Sequence, residues 1–145
     1  MRYPLDTNTV SDLIRNPQGR VAAHIKKIGE TRICTSIIVA AELRYGATKK
    51  GSPHLTAQLE AVLAALEILP FESPADSVYG SIRARLEQTG QLIGGNDWLI
   101  AAQAIAFGYT IVTNTQREFA RIAGLARENW LRHSFPLHFS VLVSS

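Results

Sequence analysis

The sequence predicts an α/β fold with a central parallel sheet of about four to five strands, flanked by helices on both sides. Short apolar or β-branched segments alternate with longer segments of helical periodicity. Several helical segments separate some of the strands, which favours parallel pairing with both faces of the sheet covered. An acid, Asp6, follows the first predicted strand, and α/β folds bind ligands at that carboxyl edge.

The strands are predicted from short runs of β-forming residues bounded by turn residues. They cover residues 3–5, 32–35, 67–71 and 109–113, and the final segment adds a strand near Trp130. The segment 109–113 carries a clear β-branched run. These strands supply the central sheet of the predicted fold.

The helices are predicted from apolar spacing and from their start and stop residues. They cover residues 10–15, 21–28, 37–49, 54–66, 74–88 and 98–107. Ser36 is placed to cap the helix 37–49, and Ser73 is placed to cap the helix that begins with Pro74. In the helix 37–49 we expect an inward apolar face that includes Ile38 and Tyr45, with Glu42 on the same face.

The length and composition predict one globular domain. The 145 residues are 46% hydrophobic and 19% charged, which suits a folded core rather than a disordered chain. The net charge of +3 permits a nucleic-acid partner without requiring one. The single Cys34 excludes an internal disulfide framework, and we expect it to be buried. With neither a membrane-spanning run nor a signal-peptide pattern, the sequence predicts a soluble cytoplasmic protein.

Four acids are the candidate functional residues. Asp6 ends the first strand, Glu42 and Asp97 lie in otherwise apolar or small-residue helices, and Glu118 follows the strand 109–113. Residues at strand ends and helix ends can converge on one edge of a parallel sheet. Carboxylates brought together repel one another unless a cation compensates their charge.

The residue types at this edge favour magnesium or manganese over zinc. Oxygen ligands suit Mg²⁺ or Mn²⁺, and no His or Cys spacing in the chain indicates a zinc site. Such a site can activate water against a phosphodiester and neutralise the leaving oxygen. The residues that can hold water or make outer contacts are Asn8, Ser36, Thr113 and Asn114.

Each acid also has a structural interpretation, which the sequence leaves open. Asp6 could cap a helix or form a turn. Asp97 stands at a helix N-terminus, where the helix dipole favours an acid in any case. Glu118 could be a solvated surface charge, and Glu42 could pair with Arg44 or with another arginine.

Four segments, in this order, resemble the PIN-domain family and, within it, the VapC toxins of bacterial toxin–antitoxin pairs. They are LDTN at 5–8, AELRYGA at 41–47, the block 75–106, and VTNTQREFARIAGLARENW at 112–130. Any one segment is weak, but the ordered set is specific and covers most of the chain. The resemblance implies a PIN domain over residues 1–131, followed by an atypical tail over 132–145.

The resemblance also implies a function. It implies a Mg²⁺- or Mn²⁺-dependent endoribonuclease toxin, with the family's acids on Asp6, Glu42, Asp97 and Glu118. The substrate class it implies is structured RNA, in particular tRNA and initiator tRNA. It further implies a cognate antitoxin that inhibits the toxin and carries any DNA binding, and a homodimer or a toxin–antitoxin hetero-oligomer.

Two departures from the family pattern support an alternative function. Thr115 stands where the family pattern has Asn or Asp, and the tail 132–145 does not match the family. The alternative is a non-catalytic PIN-like binding module that acts with a partner protein in a regulatory DNA-binding complex. A magnesium phosphohydrolase for small molecules is disfavoured, because no acid lies two residues after Asp6 and no Gly-rich phosphate loop is present.

Overall fold

A five-stranded, fully parallel sheet forms the centre of the molecule in the computed structural model, which describes residues 1–91 and 95–131. In chain order, the strands are β1 (Tyr3–Leu5), β2 (Ile33–Ser36), β3 (Glu67–Leu69), β4 (Ile111–Val112) and β5 (Arg127–Glu128). Their spatial order is β3-β2-β1-β4-β5. The predicted α/β class is therefore confirmed, whereas the predicted tail over 132–145 lies outside the described residues.

Seven α-helices flank the sheet in the described part of the chain. They are α1 (Thr7–Arg15), α2 (Arg20–Ile28), α3 (Ile37–Lys50), α4 (Pro53–Ala65), α5 (Ala75–Gln88), α6 (Gly95–Phe107) and α7 (Gln116–Phe119). All six predicted helices are present, and α7 was not predicted. Helix α1 begins three residues before the predicted start, and α6 likewise begins at Gly95 rather than Trp98.

The start of α5 corrects a predicted cap. Pro74 is the residue before the helix rather than its first residue, and no side chain caps this end. The backbone carbonyl of Glu72 accepts a hydrogen bond from the Ala75 amide at 2.8 Å. Because this amide already has a partner, the helix start does not depend on the Ser73 hydroxyl.

The last strand lies slightly earlier than predicted. It ends at Glu128, and Trp130 is a core residue with 1% of its surface exposed. The Trp130 ring stacks on His24 with 5.1 Å between the ring centroids, and its indole N–H donates to Glu128 at 2.9 Å. The apolar signal of this segment therefore reflects packing against α2 rather than membership of a strand.

Helix α3 buries a different face from the predicted one. Val39, Ala40 and Ala47 are buried, whereas Tyr45 is 67% exposed. The buried face packs in two directions: Val39 belongs to the main core, and the two alanines contact Leu59 and Leu63 of α4. Glu42 is consequently half-buried at the border of the core rather than on an inward apolar face.

Two predictions from composition can be compared with the structure. Cys34 is free and buried, as expected, and burial raises the pKa of its thiol to about 11. Within residues 1–91 and 95–131, no helix is both long and apolar enough to cross a membrane.

Candidate active site

The order of the strands places a ligand-binding crevice at the end of β1. From β1 the chain builds outward to β2 and β3 on one side, and it later returns to place β4 and β5 on the other side. Leu5 of β1 is in register with Val112 of β4, so the residues after these strands, Asp6 and Thr113, are neighbours. Open α/β sheets bind ligands at this kind of switch point, outside the carboxyl ends of the strands.

Asp6 is both a helix cap and the buried acid of this crevice. Its Oδ1 accepts hydrogen bonds from the Thr9 amide at 3.0 Å and from the Thr9 hydroxyl at 2.7 Å. Its own amide donates to the Val112 carbonyl at 3.0 Å, and the residue is only 5% exposed. The capping interpretation is thus correct, and it explains why α1 begins at Thr7.

Three of the predicted supporting residues lie beside Asp6. The Thr113 side chain is fully buried, hydrogen-bonds to the Asp6 carboxylate, and accepts from the Thr115 amide at 2.8 Å. The Asn8 amide donates to the Asn114 carboxamide oxygen at 3.2 Å. Segment 113–115 therefore places polar side chains beside the start of α1, and Thr115 has a hydroxyl where the family pattern has a carboxamide or carboxylate.

The predicted capping role of Ser36 is confirmed, and it stands apart from the predicted role as a supporting residue beside the acids. Its hydroxyl accepts the Ile38 amide at 3.0 Å, so it caps α3, and the residue is 1% exposed. The cap fixes the start of the helix that carries Glu42. Ser36 therefore acts on the site through the position of α3.

Glu42 is held by a residue that the sequence did not indicate. The Thr7 hydroxyl donates to Glu42 Oε1 at 2.8 Å, which joins the start of α1 to the side of α3. The alternative pairing of Glu42 with Arg44 does not occur, because Arg44 binds Glu60 of α4 through two hydrogen bonds of 2.9 and 3.0 Å. In the sequence, only the position next to Asp6 draws attention to Thr7. Its hydrogen-bond partner, Glu42, lies 35 residues further along the chain and could not be identified from sequence.

Asp97 and Glu118 form a carboxyl pair from two further elements. Asp97 stands in the first turn of α6, and Glu118 is a half-buried residue of the short helix α7. Burial, a hydrogen bond with Glu118 and the charges of Glu118, Asp6 and Glu42 raise the pKa of Asp97 to about 7. Glu118 is therefore half-buried and acts electrostatically on Asp97.

The four acids act on one another as a single electrostatic site. Burial raises the pKa of Asp6, hydrogen bonds from Thr113 and Thr9 lower it in part, and the charge of Glu42 raises it further. Asp6 follows β1, and the other three acids lie in α3, in the first turn of α6 and in α7. Mutual repulsion of this kind is relieved by a bound cation or by a shared proton.

The chemistry of these donors fits a hard divalent cation. Every candidate ligand is a carboxylate oxygen, the type that Mg²⁺ and Mn²⁺ prefer. Within residues 1–91 and 95–131, no three His, Cys, Asp or Glu side chains lie close enough together to hold a metal ion by themselves.

The sequence and the fold agree with one protein family. Residues 3–125 match the model of the PIN domain. "Ribonuclease VapC2" of Rickettsia felis is 40% identical over 132 residues, which cover 90% of this chain and 98% of the relative. The chain belongs to the PIN-domain family.

Other similar proteins indicate a narrower group within the PIN-domain family. The "tRNA(fMet)-specific endonuclease VapC" of Salmonella typhimurium is 36% identical over 131 residues, covering 90% of this chain and 98% of the relative. A chain in the crystal structure of VapBC2 from Rickettsia felis, bound to a promoter DNA fragment, superposes with a TM-score of 0.82 at 38% identity. That match covers 90% of this chain and 99% of the other. Within the PIN-domain family, this chain belongs with the VapC proteins.

Proposed function

We propose that this protein is a Mg²⁺- or Mn²⁺-dependent endoribonuclease and the toxin of a toxin–antitoxin pair. The observation that carries the proposal is that Asp6 follows β1 at the switch point of the sheet and that Glu118, Asp6 and Glu42 all act electrostatically on Asp97. The pKa of Asp97, raised to about 7 by burial, by Glu118 and by the charges of Asp6 and Glu42, reflects that arrangement. Such a site is suited to hydrolysing RNA phosphodiester bonds with activated water.

The role that we propose for each residue follows from its contacts. Asp6, Glu42, Asp97 and Glu118 are the candidate metal ligands, and a bound Mg²⁺ or Mn²⁺ supplies Lewis-acid chemistry and a nucleophilic water. Thr9 and Thr113 fix the Asp6 carboxylate through hydrogen bonds. Asp97, whose pKa is raised to about 7 by burial and by Glu118, can hold or release a proton near neutral pH.

The substrate that we propose is tRNA, with initiator tRNA as the first candidate. The support is the similarity to the tRNA(fMet)-specific endonuclease VapC of Salmonella typhimurium, which this chain matches over 98% of that protein's length. The mildly basic net charge of +3 is compatible with a polyanionic substrate.

The partner that we propose is a cognate antitoxin, through which the complex contacts operator DNA. The support is that similar chains occur in VapBC complexes, including one with promoter DNA. A groove of about 850 Å³ between α2 and α4 offers a docking surface, with Ile25, Val62 and Leu66 among its lining residues. Its size and apolar lining suit an amphipathic helix or an extended apolar segment of the antitoxin.

The first experiment is cleavage of a mixed tRNA pool by the purified, antitoxin-free protein. We expect discrete fragments with Mg²⁺ or Mn²⁺, and none with EDTA or with the Asp97→Asn variant. The matched control is Asp76→Asn, because Asp76 is an exposed acid in the first turn of α5 that lies outside the site. This control should cleave like the parent.

Two other outcomes would contradict the proposal. Cleavage that survives both EDTA and Asp97→Asn would exclude a carboxylate-held metal. No cleavage by folded parent protein, together with no heat of Mn²⁺ binding in calorimetry, would favour the alternative of a non-catalytic binding module. The absence of three closely spaced acids among the described residues makes that calorimetric control necessary.

A further inference from the structure

We propose that Thr7 is a positioning residue that holds Glu42 in the acidic site. The observation is the 2.8 Å hydrogen bond from the Thr7 hydroxyl to Glu42 Oε1. This inference rests on the proposed function, because it assigns a task within the same site. It adds an uncharged residue that acts through another side chain.

Thr7 is free to make this contact because its neighbour does the capping. Asp6 is the residue before α1, and its Oδ1 accepts the Thr9 amide. Thr7 is the first residue of the helix, so its hydroxyl is not needed for the cap and reaches across to α3. The bond therefore ties Glu42 to the residue that directly follows Asp6.

The site itself explains why Glu42 needs a tether. The negative charges of Asp6 and Glu42 repel each other, as the upward effect of Glu42 on the pKa of Asp6 indicates. Beside Glu42, Ala41 and Tyr45 are exposed, so the side chain has open space towards solvent. A long, flexible glutamate under repulsion would turn outward, and the Thr7 hydroxyl is the hydrogen-bond partner that the described residues give it.

The second role of the bond is orientation. The hydrogen bond from Thr7 to Oε1 restricts the rotation of the Glu42 carboxylate group. The other oxygen, Oε2, therefore points in a defined direction. Partners that orient metal ligands in this way commonly affect metal affinity or activity by roughly 10- to 100-fold when they are removed. Thr7 thus determines the position of the Glu42 carboxylate and of its negative charge.

The test compares Thr7→Val with Thr7→Ser in the full-length protein. Valine keeps the shape and removes the donor, whereas serine keeps the donor. We expect Thr7→Val to weaken Mn²⁺ binding in calorimetry and to lower kcat, each by roughly 10- to 100-fold, with KM for tRNA unchanged. Thr7→Ser should restore both values, and Thr48→Val, on the exposed surface of α3, should leave them at the parent level.

A metal-free crystal structure of Thr7→Val gives a readout that does not depend on catalysis. We expect the Glu42 side chain to leave its present position. The inference is overturned if Glu42 stays in place, if Thr7→Val binds Mn²⁺ and turns over like the parent, or if Thr7→Ser is as weak as Thr7→Val. Failure of the parent to cleave RNA or bind Mn²⁺ would instead overturn the proposed function, whatever the Thr7→Val crystal shows.

Discussion

Asp6 performs two tasks that can be separated by the choice of substitution. Its Oδ1 caps α1 through Thr9, and its charge belongs to the acidic site. Asparagine caps a helix about as well as aspartate but carries no charge. The capping interpretation of this residue is therefore confirmed, and it is compatible with the functional role that we propose for the same carboxylate.

We expect Asp6→Asn to lose RNA cleavage while keeping the parent's stability to urea. Asp6→Ala should lose cleavage and also about 1 kcal/mol of unfolding free energy, because the Thr9 amide then lacks its partner. Equilibrium urea denaturation followed by circular dichroism, with the tRNA cleavage assay beside it, measures both effects. Equal stability of the alanine and asparagine variants would show that the cap contributes nothing.

At the scale of elements, the sequence predicted positions along the chain better than faces. The ends of β1 to β4 were predicted to within two residues, because turn and cap residues are local signals. The buried face of α3 was predicted wrongly, because Ile37, Ile38, Val39, Ala40 and Ala41 make its start apolar all round. The choice among faces is made by α4, whose Leu59 and Leu63 pack on Ala40 and Ala47.

The small cluster between α3 and α4 should therefore control the position of Glu42 as well as stability. Leu63 is 2% exposed, and we expect Leu63→Ala to cost about 2–5 kcal/mol of unfolding free energy. Leu63→Met, which conserves volume, should cost less than about 1.5 kcal/mol. Urea denaturation measures both, and a loss with alanine no larger than with methionine would exclude tight packing at this contact.

At the scale of the molecule, the site joins parts that are distant along the chain. The four candidate acids come from four different parts of the fold. The order β3-β2-β1-β4-β5 places β1, which Asp6 follows, next to β4, which Glu118 follows. The sequence could predict this convergence from the fold class. The carboxyl pair of Asp97 and Glu118 could not be predicted, because it depends on how α6 and α7 pack.

This convergence makes the stability of the metal-free protein depend on pH. The pKa of Asp97 is raised from 3.8 to about 7 in the folded state, chiefly by burial and by Glu118. The folded protein thus holds a proton that the unfolded chain has already released between about pH 4 and pH 7. Its stability should fall as the pH rises through this range and level off above it.

We expect the melting temperature in EDTA to be lower at pH 8 than at pH 5, and Asp97→Asn to reduce that difference. The matched control is Glu72→Gln, an exposed carboxylate in the loop before α5, which should keep it. Saturating Mn²⁺ at pH 8 should raise the melting temperature of the parent, because binding to the folded state alone stabilises it and offsets the repulsion. A melting temperature that rises from pH 5 to pH 8 in EDTA, unchanged by Asp97→Asn, would show that the acids do not repel one another in the folded protein.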